Sequence, residues 1–569
     1  MTTDTTASRP LTAAQRALLA GRDASFELGG VSTHTYAEFD GHFDVDRLRH
    51  ALALVIARHD ALRLVIDARH GTQQVTSVPG PIPLRVVDAR NLPANDLAQV
   101  IDEVRREFSH LVRPADASPP FGVTLVRLRE TESVMCLDVD GLTLDLQSVL
   151  LLQRAIVRAH DAPEDTVAPE DTVAPEDIPA PTPGVLETSH ALDERWKTDR
   201  AKAVAFWADE LPTLPPPPRF PLRRRPSDVG PPRFHTRSRH IDATMWEAMK
   251  TTARLHRLTP TALWGAILSE VLAARTCGSR FTITVPCTRR VPLHPDLHRV
   301  MGPFSTFVPV GIDWSAGSFH DRAGALQHTL WRSLANHPAA GPELVAELAR
   351  MHGAGGRALL PVVFTSTLGL PLPAVPGLGR PRYTSSQTAQ IHLDVRLFDD
   401  DGGVRLDVDT VDDLFGHDDA RTLVDELVDT ARRTLDGAAL WDRPASSATA
   451  HAVWRPCVRP VTALDTVLVE CIESVTGFFP LGIDDVITDL GVGLERAGAV
   501  ATEIATALPG TDVRRRDVLG GGTIANLGAL LRTRTPHIDT VAELSLEAAR
   551  LTTVPSAGAH PVKGHHARS

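Results

Sequence analysis

Asp140-Gly-Leu-Thr-Leu-Asp145-Leu-Gln-Ser148 places two carboxylates and two hydroxyls close together, groups able to move protons. The segment follows an apolar strand-like run, residues 134–139, and leads into a helix-like run, residues 149–156. Asp145 and Ser148 suit a helix start, where a short oxygen side chain caps free backbone N–H groups. Gly141 has no side chain and can neither take nor give a proton. Two later segments carry the same kinds of group. Pro361-Val-Val-Phe-Thr-Ser366 holds the Thr365 hydroxyl, and Ser386-Gln-Thr-Ala-Gln-Ile-His-Leu-Asp394 holds the Asp394 carboxylate. A carboxylate with a hydroxyl beside it can relay protons, worth about 10²–10⁴ in rate. The plainer alternative makes both ordinary strand residues, with Asp394 paired to a cation such as Arg396. The histidines offer less. His294 and His298 are four apart, a spacing helices use for metals, but Pro292 and Pro295 argue for a loop. No third ligand stands nearby, so no metal site is expected. His392 shares a strand face with Asp394 and could touch a substrate, though half-exposed strand histidines are common.

The elements that must hold these groups alternate in pattern. Leu48, Ala51, Leu52, Val55 and Ile56 fall on one helical face, while residues 281–285 and 391–395 alternate as strands do. Mixed α/β layering follows. The 569 residues allow roughly three or four domains. A hydrophobic content of 43% is ample for packed cores, and a net charge of −11 disfavours nucleic acid as the main partner. No run approaches a membrane span of roughly 18 apolar residues, and Met1-Thr-Thr-Asp-Thr-Thr shows no secretory pattern. The five cysteines, Cys136, Cys277, Cys287, Cys457 and Cys471, form no C-x2-C pair and read as reduced thiols. A cytoplasmic protein is expected.

Two breaks divide the chain. Ala-Pro-Glu-Asp occurs three times, from Ala162, Ala168 and Ala174, and runs into Ile178-Pro-Ala-Pro-Thr-Pro-Gly184. Proline blocks helical hydrogen bonding and the acids repel, so an extended, solvated insertion is expected. The second break, residues 441–461, is rich in Pro, Ser and Ala. The expected division is 1–160, an inserted linker 161–197, 198–440, a linker 441–461, a small helical unit 462–534, and a flexible tail 535–569.

The D-x4-D-x2-S spacing resembles the signature of heterocyclization domains of nonribosomal peptide synthetases. These are relatives of condensation domains, which carry H-H-x3-D-G at this place. Aligned on Asp145, the second histidine of that pattern falls on Gly141. Other landmarks follow in family order: Leu11-Thr-Ala-Ala-Gln15, Gly21 to Gly30, Arg58-His-Asp-Ala-Leu-Arg63, Phe206-Trp207 to Pro218, Thr259-Pro-Thr-Ala262 and Arg290-Val-Pro-Leu-His-Pro-Asp296. The segments holding Thr365 and Asp394 resemble the two late motifs, and Gln387 and Thr388 lie in the second. One D-x4-D match is weak, but so many landmarks in order are specific.

The resemblance implies two lobes, each like chloramphenicol acetyltransferase, forming a V with a central tunnel that carrier-bound substrates enter from opposite faces. It implies catalytic roles in cyclodehydration for Thr365 and Asp394. It implies a bracing role for Asp145 through an arginine, with Arg290 the candidate, and leaves Asp140 open. Met301-Gly-Pro-Phe-Ser-Thr-Phe307 resembles the family's G-D-F-T-S-L, but Pro303 replaces the acid. The small unit resembles a four-helix peptidyl carrier domain. There Asp489-Leu-Gly-Val-Gly-Leu494 puts Leu494 where the carrier serine belongs, and a leucine has no hydroxyl to hold 4′-phosphopantetheine. That cofactor is expected only on partners: donor and acceptor peptidyl or acyl carrier proteins, with a separate adenylation domain to load them. The resulting expectation is a trans-acting heterocyclization domain that makes a thiazoline or oxazoline from an acyl thioester and carrier-bound Cys, Ser or Thr. The alternatives are a non-catalytic docking protein and condensation without ring closure.

Overall fold

The computed structural model describes residues 8–77, 80–161, 183–276, 278–352, 355–370, 375, 378, 381–445 and 458–552. The Ala-Pro-Glu-Asp repeats, Cys277 and Cys457, most of the second break and the last part of the tail lie outside them. The chain forms two compact units, Met1–Trp454 and Arg455–Ser569, divided inside the expected 441–461 linker.

The strands of the large unit are β1 (Arg9–Pro10), β2 (His34–Gly41), β3 (Leu64–Asp67), β4 (Thr72–Val75), β5 (Leu84–Asp88), β6 (Phe121–Arg127) and β7 (Ser133–Asp140). They continue with β8 (Phe234–Ile241), β9 (Arg280–Thr288), β10 (Ser305–Asp313), β11 (Val362–Ser366), β12 (Pro381–Gln387), β13 (Leu393–Asp400) and β14 (Gly403–Val411). Among the described residues they form two main sheets, in the orders β12-β2-β7-β6-β5 and β10-β9-β11-β13-β14-β8, and a small sheet β1-β4-β3. The α/β expectation is met.

Strand β12 corrects the expected boundaries of the second lobe. It lies within 198–440, yet it pairs antiparallel with β2, Gln387 opposite His34 and Ser385 opposite Tyr36. The chain thus leaves the second sheet, completes the first, and returns to make β13.

Burial explains the rest. The helix Val45–Arg58 is capped by Asp44, which accepts from the N–H groups of Asp46 and Arg47, and it buries the five predicted apolar residues. Leu48, Leu52, Val55 and Ile56 join a core with Leu125, Leu137, Val139, Leu152 and Ile156, on the face of the first sheet that also meets the helix Leu146–Asp161. The second sheet is packed by the helix Pro260–Arg275, which starts at the Thr259 cap with proline in its first turn and is buried along most of its length. The expected linker 161–197 is shorter than its range. A helix already runs over Val185–Glu210, anchored where the Val185 N–H donates to Asp60 (2.7 Å) and Glu187 accepts from the Gly184 N–H (3.0 Å). Once the prolines end at Pro183, Val185, Thr188 and Leu192 find a core to enter.

In the small unit, residues 462–534 hold four α-helices among the described residues, Ala463–Thr476, Leu494–Ala507, Arg515–Gly520 and Ile524–Arg534, and a short 3-10 turn over Ile487–Leu490. The tail is not the flexible segment expected from 535 onward. Ile538–Thr552 is a further helix, with Ile538 and Ala542 buried, and Asp539 receives the Arg532 guanidinium at 2.9 Å. Among the described residues no helix is long and apolar enough to cross a membrane.

Candidate active site

The residues of the D-x4-D-x2-S segment separate into two structural roles. Asp140 ends β7, where both carboxylate oxygens receive Arg22 Nη2 (2.9 and 2.7 Å) and Oδ1 also takes the Leu142 N–H at 2.9 Å. Asp140 is therefore a buried anchor for the segment around Gly21. Arg22 was legible only as part of a landmark, with no role.

Asp145 begins the next helix as the sequence predicts. Its Oδ1 accepts from the Ser148 N–H (2.9 Å) and the Ser148 hydroxyl (2.6 Å). Its Oδ2 accepts from Arg290 Nη1, from the Phe304 N–H (3.2 Å) and from the Ser305 hydroxyl (3.2 Å). The fully buried Ser148 hydroxyl also meets Gly302 N–H (2.9 Å) and Arg290 Nη2 (3.0 Å). The expected Arg290 brace is thus present, and it also holds the loop bearing Pro303. That proline stands between two residues whose N–H groups bind Ser148 and Asp145, so its missing N–H leaves both bonds intact. With both carboxylate oxygens occupied and the side chains 3% and 7% exposed, Asp145 and Arg290 form a buried structural pair.

Gly141 packs closely on Thr33. A Cβ at this position would lie 2.7 Å from Thr33 Cγ2 and 3.1 Å from its carbonyl oxygen, while the Gly141 N–H donates to that same carbonyl at 2.7 Å.

Thr365 and Asp394 are brought together. Parallel pairing of β11 with β13 sets Val363 beside Asp394 and Thr365 beside Arg396. The Thr365 hydroxyl donates to Asp394 Oδ1 at 3.3 Å. Both residues keep part of their surface accessible although protein surrounds the carboxyl deeply. Burial pushes Asp394 up to about 7, aided by Asp409 and Asp407 and opposed by Arg396 and Thr365. A carboxyl with that proton affinity can take and return protons near neutral pH.

The sequence alternative of an Asp394–Arg396 ion pair is not what forms. Arg396 Nε donates instead to Asp409 at 2.6 Å, and its Nη2 lies 3.8 Å from Asp407. His392 is buried and pushed down to about 3 by desolvation, so its ring is neutral and not a general acid. Gln387 is 2% exposed on β12, and neither end of its amide has a hydrogen-bond partner among the described residues. Thr388 donates to the Gln387 carbonyl at 2.9 Å, just past the strand. His294 accepts from the Asp296 N–H and His298 meets the Pro295 carbonyl, both local turn contacts. Among the described residues no group of three or more His, Cys, Asp or Glu is arranged to hold a metal ion.

In the small unit Leu494 is the first residue of its helix and 71% exposed, preceded by Gly493 at the cap. The leucine side chain at the position that the sequence resemblance gave to a carrier serine therefore faces solvent and carries no hydroxyl.

Sequence comparison matches residues 6–439 to the condensation domain family. Phenyloxazoline synthase MbtB of Mycobacterium tuberculosis is 30% identical over 449 residues, 77% of this chain and 30% of that protein. Pyochelin synthetase PchF of Pseudomonas aeruginosa is 30% identical over 439 residues, 76% of this chain and 23% of that protein. The chain thus spans less than a third of these relatives. Among solved structures, the EpoB NRPS cyclization-docking bidomain from Sorangium cellulosum superposes with a TM-score of 0.68 at 28% identity, covering 76% of this chain and 85% of that one.

Proposed function

The chain belongs to the condensation-domain family, and on that premise we propose that it is a heterocyclization domain of a nonribosomal peptide or hybrid polyketide–peptide assembly line. Its substrates are an acyl thioester on a donor carrier and Cys, Ser or Thr on an acceptor carrier. Both are held on 4′-phosphopantetheine arms that the partner carriers supply, the amino acid being loaded by an adenylation domain. The acceptor amine attacks the thioester carbonyl, an amide forms and the donor thiol leaves. The acceptor side-chain thiol or hydroxyl then attacks the amide carbonyl. Loss of the nitrogen proton and of the former carbonyl oxygen as water leaves a thiazoline or oxazoline.

The Thr365–Asp394 pair is the observation that carries this reading. The first step needs mainly that two held groups meet, and proximity supplies much of its acceleration. The second needs a group that accepts one proton and helps hydroxide depart with another. A carboxyl poised near neutral, on a residue that keeps part of its surface accessible and with a hydroxyl on one oxygen, fits that demand. The similarity to MbtB and to a cyclization-docking bidomain supports the same branch of the family. The small unit, lacking the serine, acts in this reading as a docking or stabilising element.

A non-catalytic docking role is the second reading, favoured by Leu494 and by Pro303 in place of an acid. The two separate by the mass of the acceptor-bound product when loaded donor and acceptor carriers are mixed with the protein. Loss of one water beyond the condensed amide supports heterocyclization; an acceptor that stays unacylated supports docking.

A further inference from the structure

Strands β13 and β14 alternate apolar and charged residues, a pattern expected to turn its charges to water. One face of the second sheet does carry the apolar set, including Leu393, Val395, Leu397, Leu406 and Val408, all buried. The other face carries Asp394 and Arg396 on β13 opposite Asp409 and Asp407 on β14, which in turn face Thr236 and Ser238 on β8. These charges are not in water. Asp407 and Asp409 are fully buried and Arg396 is 8% exposed.

What covers them is β12, the strand lent to the first sheet. Asp407 accepts from Thr384 (2.9 Å) on that strand and from Ser238 (2.7 Å), and Arg405 Nε lies 3.2 Å away. Asp409 accepts from the Ser386 N–H (3.2 Å) and from the Thr236 hydroxyl on Oδ1, and from Arg396 on Oδ2. Tyr383 on β12 also lies within the influence of Asp409. Asp394 is the third acid near one guanidinium, and it receives none of its hydrogen bonds; its side-chain bond comes from Thr365, which carries no charge.

We propose that Asp409, with Asp407 beside it, is a positioning residue: it holds the Arg396 guanidinium away from Asp394, so that Asp394 remains a proton-exchanging group and not the fixed anion of an ion pair. Asp409 takes the Arg396 Nε hydrogen bond and Asp407 lies 3.8 Å from its Nη2, so both acids compete with Asp394 for the cation. Burial raises Asp409 itself, but the Arg396 guanidinium and the Thr236 hydroxyl draw it toward its anionic form, and negative charge on Asp409 and Asp407 disfavours a third anion in the same buried space. Because β12 fastens both acids from the opposite side, the seating of that strand is part of what sets Asp394. The inference rests on the proposed use of Asp394, but the titration of Asp394 can be read without any substrate.

The full-length chain, labelled with ¹³C at aspartate carboxyl carbons, is titrated by NMR, with the Asp394 signal assigned by its loss in Asp394→Asn. In wild type the signal should titrate near 7. In Asp409→Asn, Arg396 is released toward Asp394 and one repelling charge is gone, so the midpoint should fall by about one unit or more, a tenfold change in proton affinity. Asp409→Glu, which keeps the charge, should restore most of the wild-type midpoint. Should Asp409→Asn fail to fold, Asp407→Asn should give a smaller fall in the same direction. An Asp394 midpoint that stays in place or rises in the folded variant overturns the proposal. Ring closure by Asp394→Asn, measured separately, would overturn the functional reading and leave the titration result standing.

Discussion

The Asp145 carboxylate and the Arg290 guanidinium form a buried pair that ties the start of one helix to the loop before β10. Five donors reach that carboxylate, from Ser148, Arg290, Phe304 and Ser305. Removing one member strands the other without water. Asp145→Ala should therefore lose about 3–5 kcal/mol of stability, seen as a lower Tm and denaturant midpoint, with activity falling in parallel. Lost turnover with unchanged melting would move Asp145 into the chemistry.

Gly141 lies against Thr33, where an added Cβ would press on the Thr33 methyl group. Gly141→Ala should cost about 1–3 kcal/mol through contact with Thr33, and Gly141→His more, without restoring condensation chemistry. Thermal unfolding of the two variants tests this; a Gly141→His protein as stable as wild type would contradict it.

Asp394 also makes stability depend on pH. In the folded chain it keeps its proton up to about 7, but once unfolded it titrates near its ordinary 3.8. The folded state binds more protons between those values, so this group's contribution is complete below the lower value and is lost as pH rises through the upper one. Asp394→Asn should then melt higher than wild type at pH 8, with the advantage shrinking toward pH 4. Equal advantages at both ends would mean that Asp394 is not shifted upward.

Much of this was legible in the sequence, and the gaps have physical causes. Short-range signals served well: the Asp145 cap and the helical face at Leu48 to Ile56 came from residue types and order, while the Arg290 brace came only from the family resemblance. Long-range pairing did not. Nothing in Pro381-Arg-Tyr-Thr-Ser-Ser-Gln387 says that the strand joins β2, since its partner lies hundreds of residues earlier. The Asp407–Asp409–Arg396 network was invisible for the same reason, because an alternating strand looks half-solvated until its cover is known. The tail after Arg534 read as flexible, yet Ile538 and Ala542 find a core that only the folded small unit provides.

Leu494 makes a simple chemical test. Incubation of the protein with coenzyme A and a promiscuous phosphopantetheinyl transferase should leave its intact mass unchanged, since the exposed residue at the helix start has no hydroxyl. A gain of one phosphopantetheine would place the attachment site elsewhere in the chain.

The central claim is that Asp394, supported by Thr365, drives loss of water after the amide has formed. Its most direct test is the ratio of linear to dehydrated product on the acceptor carrier, read by intact mass for wild type, Asp394→Asn and Thr365→Val. Wild type should give the dehydrated ring. Asp394→Asn should accumulate the linear amide with ring closure slowed about 10²–10⁴-fold, and Thr365→Val should show a smaller defect of the same kind. Ring formation at the wild-type rate in both variants, or a wild-type protein that yields only linear product or none, would contradict the account.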